Sequence, residues 1–196
     1  MRIALAGNPN SGKTTLFNAI TGKIEHVGNW PGVTVSKKEG DVKKELNKTG
    51  KKIRVVDLPG TYSLAAFTCE ENITRDFVKK EAPDVIINIV DATNLSRSLL
   101  FTTQLLELGI PLVVALNKSD LLDNKEITID TEKLAERLGC PVVETASIEG
   151  KGLAELIAAA AASVGKNQSA PFQPAVSPEA ATPAPIAAVD RERFAF

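Results

Sequence analysis

The octapeptide Gly7-Asn8-Pro9-Asn10-Ser11-Gly12-Lys13-Thr14 lies between the apolar run Ile3-Ala4-Leu5-Ala6 and the helical pattern Thr15-Leu16-Phe17-Asn18-Ala19-Ile20. A Gly-x-x-x-x-Gly-Lys-Thr motif between a strand and a helix is the context a phosphate-binding loop requires. Backbone N–H groups and the helix N-terminus converge on an anion there, Lys13 supplies a point charge for the outer phosphates, and the Thr14 hydroxyl can hold Mg²⁺. A nucleoside triphosphate is the ligand this pattern indicates. Taken alone, it also fits a glycine-rich turn with an exposed lysine.

Two later motifs narrow the reading. Asp57-Leu58-Pro59-Gly60 closes the strand-like run Ile53-Arg54-Val55-Val56. That placement puts a carboxylate where it can hold Mg²⁺ through water and a glycine where the backbone can approach a γ-phosphate. Pro111-Leu112-Val113-Val114-Ala115-Leu116 reads as a buried strand ending in Asn117-Lys118-Ser119-Asp120. A carboxylate at Asp120 accepts from both N1–H and the 2-amino group of guanine; adenine offers no such pair, and a buried carboxylate left unpaired is costly. The series of three motifs therefore selects GTP over ATP. Val142-Val143-Glu144-Thr145-Ala146-Ser147 offers a further strand end for the base pocket. Guanine-binding proteins usually place Ser-Ala there; in this chain Ala146-Ser147 keeps a backbone N–H for the base and displaces the bracing hydroxyl by one position.

The chain alternates strands, at about 2 to 7, 34 to 46, 51 to 57, 84 to 91, 111 to 117 and 141 to 145, with helices at about 13 to 21, 70 to 81, 95 to 108, 131 to 138 and 150 to 163. Continuous apolar strands such as Val85-Ile86-Ile87-Asn88-Ile89-Val90 imply burial on both faces, hence a mainly parallel six-stranded sheet flanked by helices, with ligands at the carboxyl ends of the strands. At 196 residues, 43% hydrophobic and with net charge −1, the chain can bury one sizeable core and gives no sign of a polyanionic partner. Lysine pairs at 37–38, 43–44 and 51–52 are interleaved with acids and read as the solvated face of a hairpin, so no nucleic acid is expected. Cys69 and Cys140 have no paired spacing, which predicts reduced thiols. His26 is the only histidine. No signal peptide and no membrane span is expected. Residues 1–164 are read as a nucleotide-binding domain, 165–189 as an Ala/Pro-rich linker and 190–196 as the start of a truncated element.

His26-Val27-Gly28-Asn29-Trp30-Pro31-Gly32-Val33-Thr34-Val35 resembles the first switch of the bacterial ferrous iron transport protein B (FeoB) family, and Asp57 to Leu64 is similar to its second switch. Val90 to Arg97 and Leu105 to Pro111 are further matches, and the similarity covers roughly residues 1 to 155. It implies a Ras-like P-loop GTPase whose nucleotide site comprises Gly7 through Thr15, Gly32-Val33-Thr34, Asp57-Leu58-Pro59-Gly60, Asn117, Lys118, Asp120, Ala146 and Ser147. It also implies that Lys13, Asn10, Thr34 and Gly60 serve catalysis. Mg²⁺ would be held by Thr14, Thr34 and Asp57, and K⁺ by Asn10 with the backbone carbonyls of Gly28 and Trp30. Thr61 stands where Ras-like proteins carry a water-orienting glutamine, so slow hydrolysis is expected. Lys118 departs from the family, many of whose members carry methionine there.

The resemblance further implies the cytosolic front end of a longer transporter, at the cytoplasmic face of the bacterial inner membrane, joined to a membrane-spanning iron-permease region. The Ala/Pro segment stands where the family has a helical domain. A flexible tether ending in two phenylalanines leads to an expected dimer by exchange of a tail or element. Two other classes stay open: a soluble ribosome- or tRNA-associated GTPase, and a non-hydrolysing guanine-nucleotide binding module.

Overall fold

In the computed structural model, residues 1–65, 67–123 and 128–166 are described; the expectations for 167–196, the rest of the linker and the terminal element, lie outside them. The backbone runs β1 (Arg2–Gly7), α1 (Lys13–Ile20), β2 (Thr21–Asn29), β3 (Ser36–Val42), β4 (Arg54–Asp57), α2 (Cys69–Glu81), β5 (Val85–Asp91), α3 (Leu95–Leu106), β6 (Leu112–Asn117), α4 (Asp120–Asp123), α5 (Thr131–Leu138), β7 (Val142–Thr145) and α6 (Leu153–Ser163). One sheet holds the strands in the order β2-β3-β4-β1-β5-β6-β7. From β4 to β7 every pair is parallel, while β2 with β3 and β3 with β4 are antiparallel.

The sheet therefore has seven strands rather than six. The missed strand is β2, whose polar, glycine-containing sequence Thr21 to Asn29 lacks the apolar run of a central strand. At the sheet edge it needs only the ladder to β3, in which Asn29 faces Ser36 and Gly28 faces Lys37. The expected strand at 34 to 46 is correspondingly shorter, because backbone bonds from Leu46 and Asn47 back to Lys43 turn the chain after Val42. The helix expected from residue 150 begins at Leu153, after Gly152 in a left-handed conformation (φ 75°).

Alternate residues of the central strands enter opposite cores. Ile3 and Leu5 meet Leu16, Phe17, Ile20, Leu156 and Ile157 on one face. Ala4 and Ala6 share the other with Trp30, Val56, Phe77 and Phe101. Phe17 and Phe101 are fully buried, each worth about 1.5–3 kcal/mol in removed apolar surface. α2 starts at a capping box: Thr68 accepts from Glu71 N–H, and the Glu71 carboxylate takes Thr68 N–H at 3.1 Å. Asp130 caps α5, and Gly139 ends it at φ 68°. These layers bring the carboxyl ends of β1, β4, β5, β6 and β7 to one rim.

Candidate functional site

The phosphate loop leaves β1 at Gly7, packed so closely on β5 that a Cβ there would lie 2.9 Å from the Ile89 carbonyl oxygen. Asn10 (φ 65°) and Gly12 (φ 91°) take left-handed conformations that curl the loop back. α1 then begins at Lys13 with no side-chain cap and no acidic residue in its first turn. Its first N–H groups and its dipole are thus presented to an anion rather than to a neighbouring carboxylate. The Lys13 ammonium contacts the Asp57 carboxylate directly, so the phosphate-binding charge and the acid at the end of β4 meet at one point. Leu58 N–H donates to Leu5 O at 3.0 Å. Gly60 lies against Pro9, where an added Cβ would be 3.4 Å from Pro9 Cα.

The base side is built around Asn117. Its Nδ2 donates to Ser11 O at 3.0 Å, while its Oδ1 accepts from Ser147 N–H at 3.2 Å and from Ser147 Oγ at 2.7 Å. The displaced serine of the Ala146-Ser147 pair therefore braces Asn117, and Thr145 Oγ1 joins the same acceptor at 3.4 Å. Lys118 (φ 64°) donates from Nζ to Asn10 O at 2.9 Å and to Asp91 Oδ2 at 2.6 Å. Burial alone would raise the Asp91 carboxyl, but the Lys118 ammonium and the hydroxyl and N–H of Thr93 outweigh it and hold it below the usual carboxylate range. Asp120 opens α4 and is half-buried beside this cluster.

Thr14 and Thr15 are exposed in the first turn of α1. Among the described residues no group of three or more His, Cys, Asp or Glu gathers to hold a metal. A divalent ion at this rim would depend on Thr14, Asp57 and phosphate oxygens, a hard all-oxygen set that suits Mg²⁺.

The residues expected to act as a switch are placed elsewhere. Trp30 is buried in the core beneath α2, and the turn 30–35 closes through Trp30 N–H to Val35 O at 2.9 Å and Val33 N–H to Trp30 O at 3.2 Å. Gly32 (φ 78°) and Thr34 are exposed or nearly so at its tip, and Val33 leans on the core. A cavity of about 520 Å³ lies between this turn and α2, lined by Trp30, Pro31, Val33 and Phe77 among others. Asn10 instead lines a second cavity of about 310 Å³, with Asn8, Ser11, Asp91, Arg97 and Lys118. Neither Thr34 nor the carbonyls of Gly28 and Trp30 are brought to Asn10 or Lys13 by any described contact. Thr61 is buried, with its hydroxyl donating to Ser63 O at 2.8 Å and its N–H to Gly7 O at 3.3 Å. Both contacts serve the turn.

Sequence reasoning missed Asp91 as the anchor of Lys118. A carboxylate ending a fully buried strand, level with Asn117 on β6, was the available signal. It also missed Arg97, whose guanidinium lies 4.3 Å over the Tyr62 ring and ties α3 to the segment after Gly60.

A phosphate loop meeting an aspartate at the next parallel strand, with an Asn-Lys-x-Asp loop bonded to it on a mainly parallel sheet, defines a Ras-like P-loop GTPase domain. The sequence profile of the family described as ferrous iron transport protein B matches residues 1–160. The Fe(2+) transporter FeoB of Salmonella typhimurium is 48% identical over 160 residues, 80% of this chain and 20% of its own length. A GDP-bound mutant of S. thermophilus NFeoB superposes with a TM-score of 0.78 at 48% identity, covering 84% of this chain and 63% of that one. The cytosolic domain of the T. maritima FeoB iron transporter in its GMPPNP form gives 0.79 at 41% identity, covering 85% and 65%. This chain belongs to the ferrous iron transport protein B family. It spans about a fifth of the length of the transporters it matches, and no helix among the described residues is long and apolar enough to cross a membrane.

Proposed function

We propose that this chain is the guanine-nucleotide-binding, GTP-hydrolysing front end of a bacterial Fe²⁺ membrane transporter, working as a switch at the cytoplasmic face of the inner membrane. Fe²⁺ is the cargo of the longer protein. The observation that carries the reading is the junction at Asn117, which bonds the phosphate loop through Ser11 and the base loop through Ser147. Relatives 48% and 41% identical over the matched region are a GDP-bound NFeoB and a FeoB cytosolic domain in its GMPPNP form.

In this reading the uncapped start of α1 and Lys13 hold the phosphates, while Asp120 and the loop of Ala146-Ser147 receive guanine. Mg²⁺, held by Thr14, Asp57 and, in the triphosphate state, Thr34, would neutralise phosphate charge when bound. Thr34 and Gly60 sense the γ-phosphate, ordering their loops in the triphosphate state. Thr61 supplies no side-chain clamp for water, so turnover is slow and rests on backbone donors. With the turn 30–35 moved to the phosphates in the triphosphate state, Asn10 and the carbonyls of Gly28 and Trp30 would hold a potassium ion there, which would stand in for an arginine finger. Residues 1–164 act as the domain, and dimerisation by exchange of an element or of the tail is part of the same proposal.

Phosphate release from GTP and from ATP, each with Mg²⁺ and in KCl or NaCl at equal ionic strength, tests the reading. Release from GTP alone, faster in KCl, is expected. Equal release from ATP would overturn it.

A further inference from the structure

Five side chains outside the phosphate loop close a ring. The Trp30 ring meets Phe77 of α2 edge-on, centroids 5.4 Å apart and planes at 81°. Phe77 carries the Arg2 guanidinium 5.1 Å over its face. Arg2 pairs with Glu39 at 3.7 Å, Glu39 with Lys37 at 2.9 Å, and the Lys37 ammonium returns to sit 4.9 Å over Trp30. The ring crosses β1, β3 and α2 and encloses the base of the turn 30–35. The β-ladder explains how it closes: Glu39 faces Val56 across β3 and β4, and Val56 faces Ala4 across β4 and β1. That register puts Lys37, Glu39 and Arg2 on the face that α2 covers.

We infer that this ring is a latch that keeps the turn 30–35 docked on α2, with Lys37 as the positioning residue that closes it. Each contact is individually weak; Arg2 is held besides by Glu81 of α2 at 2.5 Å and Glu39 by Arg54 at 3.9 Å, whereas the Lys37 ammonium has its two ring partners alone among the described residues. Lys37 is the member whose two partners hold the turn directly, one through the indole and one through β3. The latched state also carries a built-in cost. The Trp30 indole N–H is buried and donates to nothing among the described residues, a penalty that a released turn would relieve. A docked state held by a ring of weak contacts and opposed by an orphaned donor is a bistable element.

The consequence rests on the reading that Thr34 meets the γ-phosphate. While the latch is closed, Thr34 sits exposed on the turn and the Trp30 carbonyl is taken by Val33 N–H. Only the fraction of molecules with an open latch is competent for the triphosphate contact, so the latch lowers apparent affinity for a GTP analogue and leaves that for GDP alone.

Trp30 is the only tryptophan, so its quenching by acrylamide reads the latch without any nucleotide. Lys37→Gln and Glu39→Gln should each raise the quenching constant, Lys37→Arg should restore the wild-type value, and Lys80→Gln, which lines the same cavity outside the ring, should change nothing. The two opening variants should also tighten GMPPNP binding about two- to fivefold, the effect of losing one such cation–aromatic contact, with GDP affinity unchanged. Unaltered quenching in both variants overturns the latch. Raised quenching with an unaltered ratio of GMPPNP to GDP affinity keeps the latch as a structural clasp and overturns its control of the switch. Should Glu39→Gln unfold, Lys37→Gln carries the test, because Lys37 lies at the partly exposed rim of the ring.

Discussion

Asn117 donates from Nδ2 to the backbone carbonyl of Ser11 at 3.0 Å, across 106 positions of sequence. The same side chain collects both the N–H and the hydroxyl of Ser147 on its other oxygen. Phosphate loop and base loop are therefore one hydrogen-bonded unit joined through a single side chain.

Gly12 tests how tightly that unit is packed. A Cβ on Gly12 would fall 2.3 Å from Asn117 Nδ2, at a backbone φ of 91°. Gly12→Ala should cost about 1–3 kcal/mol from the strained conformation alone. For a domain of this size that is a fall in Tm of roughly 2–4 °C per kcal/mol. Asn117 must also move, so nucleotide binding should weaken severely. A variant with wild-type Tm and GDP affinity would show that Asn117 is not held where the structure places it.

The Asp91 carboxylate makes the site sensitive to acid. Its folded-state pKa is depressed, so its contribution to stability is complete above the ordinary value of about 3.9 and is lost as pH falls through the lower folded value. Melting curves from pH 7 down to 3 should show wild type losing stability faster than Asp91→Asn at the acid end. At neutral pH the variant should already be less stable, because Lys118 keeps only Asn10 O. Parallel curves for the two proteins would remove Asp91 as the anchor.

The two thiols should differ sharply. Burial pushes the Cys140 thiol up to about 12, whereas Cys69 is exposed at the start of α2. A thiol reagent such as DTNB should titrate one cysteine in the native protein and two in denaturant. Two fast-reacting native thiols would place Cys140 outside the core.

Most of the architecture was legible because its signals are local. Ile3 to Ala6 and Val85 to Val90 read as buried strands since both faces are covered, and the helices expected at about 70 to 81 and 131 to 138 form at Cys69–Glu81 and Thr131–Leu138. β2 was not legible, because an edge strand of mixed polarity is specified by its partner β3 and not by its own period. The Lys13, Asp57, Asn117 and Lys118 cluster was foreseen from motif order. The packing of the Trp30 ring was not: the sequence assigned a role only to its backbone carbonyl, and the structure buries the ring against Phe77. That contact joins residues 47 positions apart and leaves no mark in either segment. Asp91 was hidden for the same reason, its role being defined by Lys118 on the neighbouring strand.

The potassium proposal has its own test in Asn10. Asn10→Ala should remove the difference in GTP turnover between KCl and NaCl while leaving Mg²⁺-dependent GDP binding within a few fold. Alanine is also less suited to φ 65°, so Asn10→Gly serves as the companion that keeps the backbone and lacks the side chain. If Asn10→Gly retained a full potassium response, the asparagine would be a turn residue and not a ligand.

Selection of guanine would rest on a site spanning Asp120, Ser147 and the phosphate loop. Calorimetric titration with GDP and with ADP, both with Mg²⁺, measures it most directly. GDP should bind tighter by on the order of 10⁴-fold, the discrimination open to a site that hydrogen-bonds a donor pair the competitor lacks, and Asp120→Asn should shift preference toward xanthosine diphosphate. Comparable heats and affinities for GDP and ADP would contradict the account.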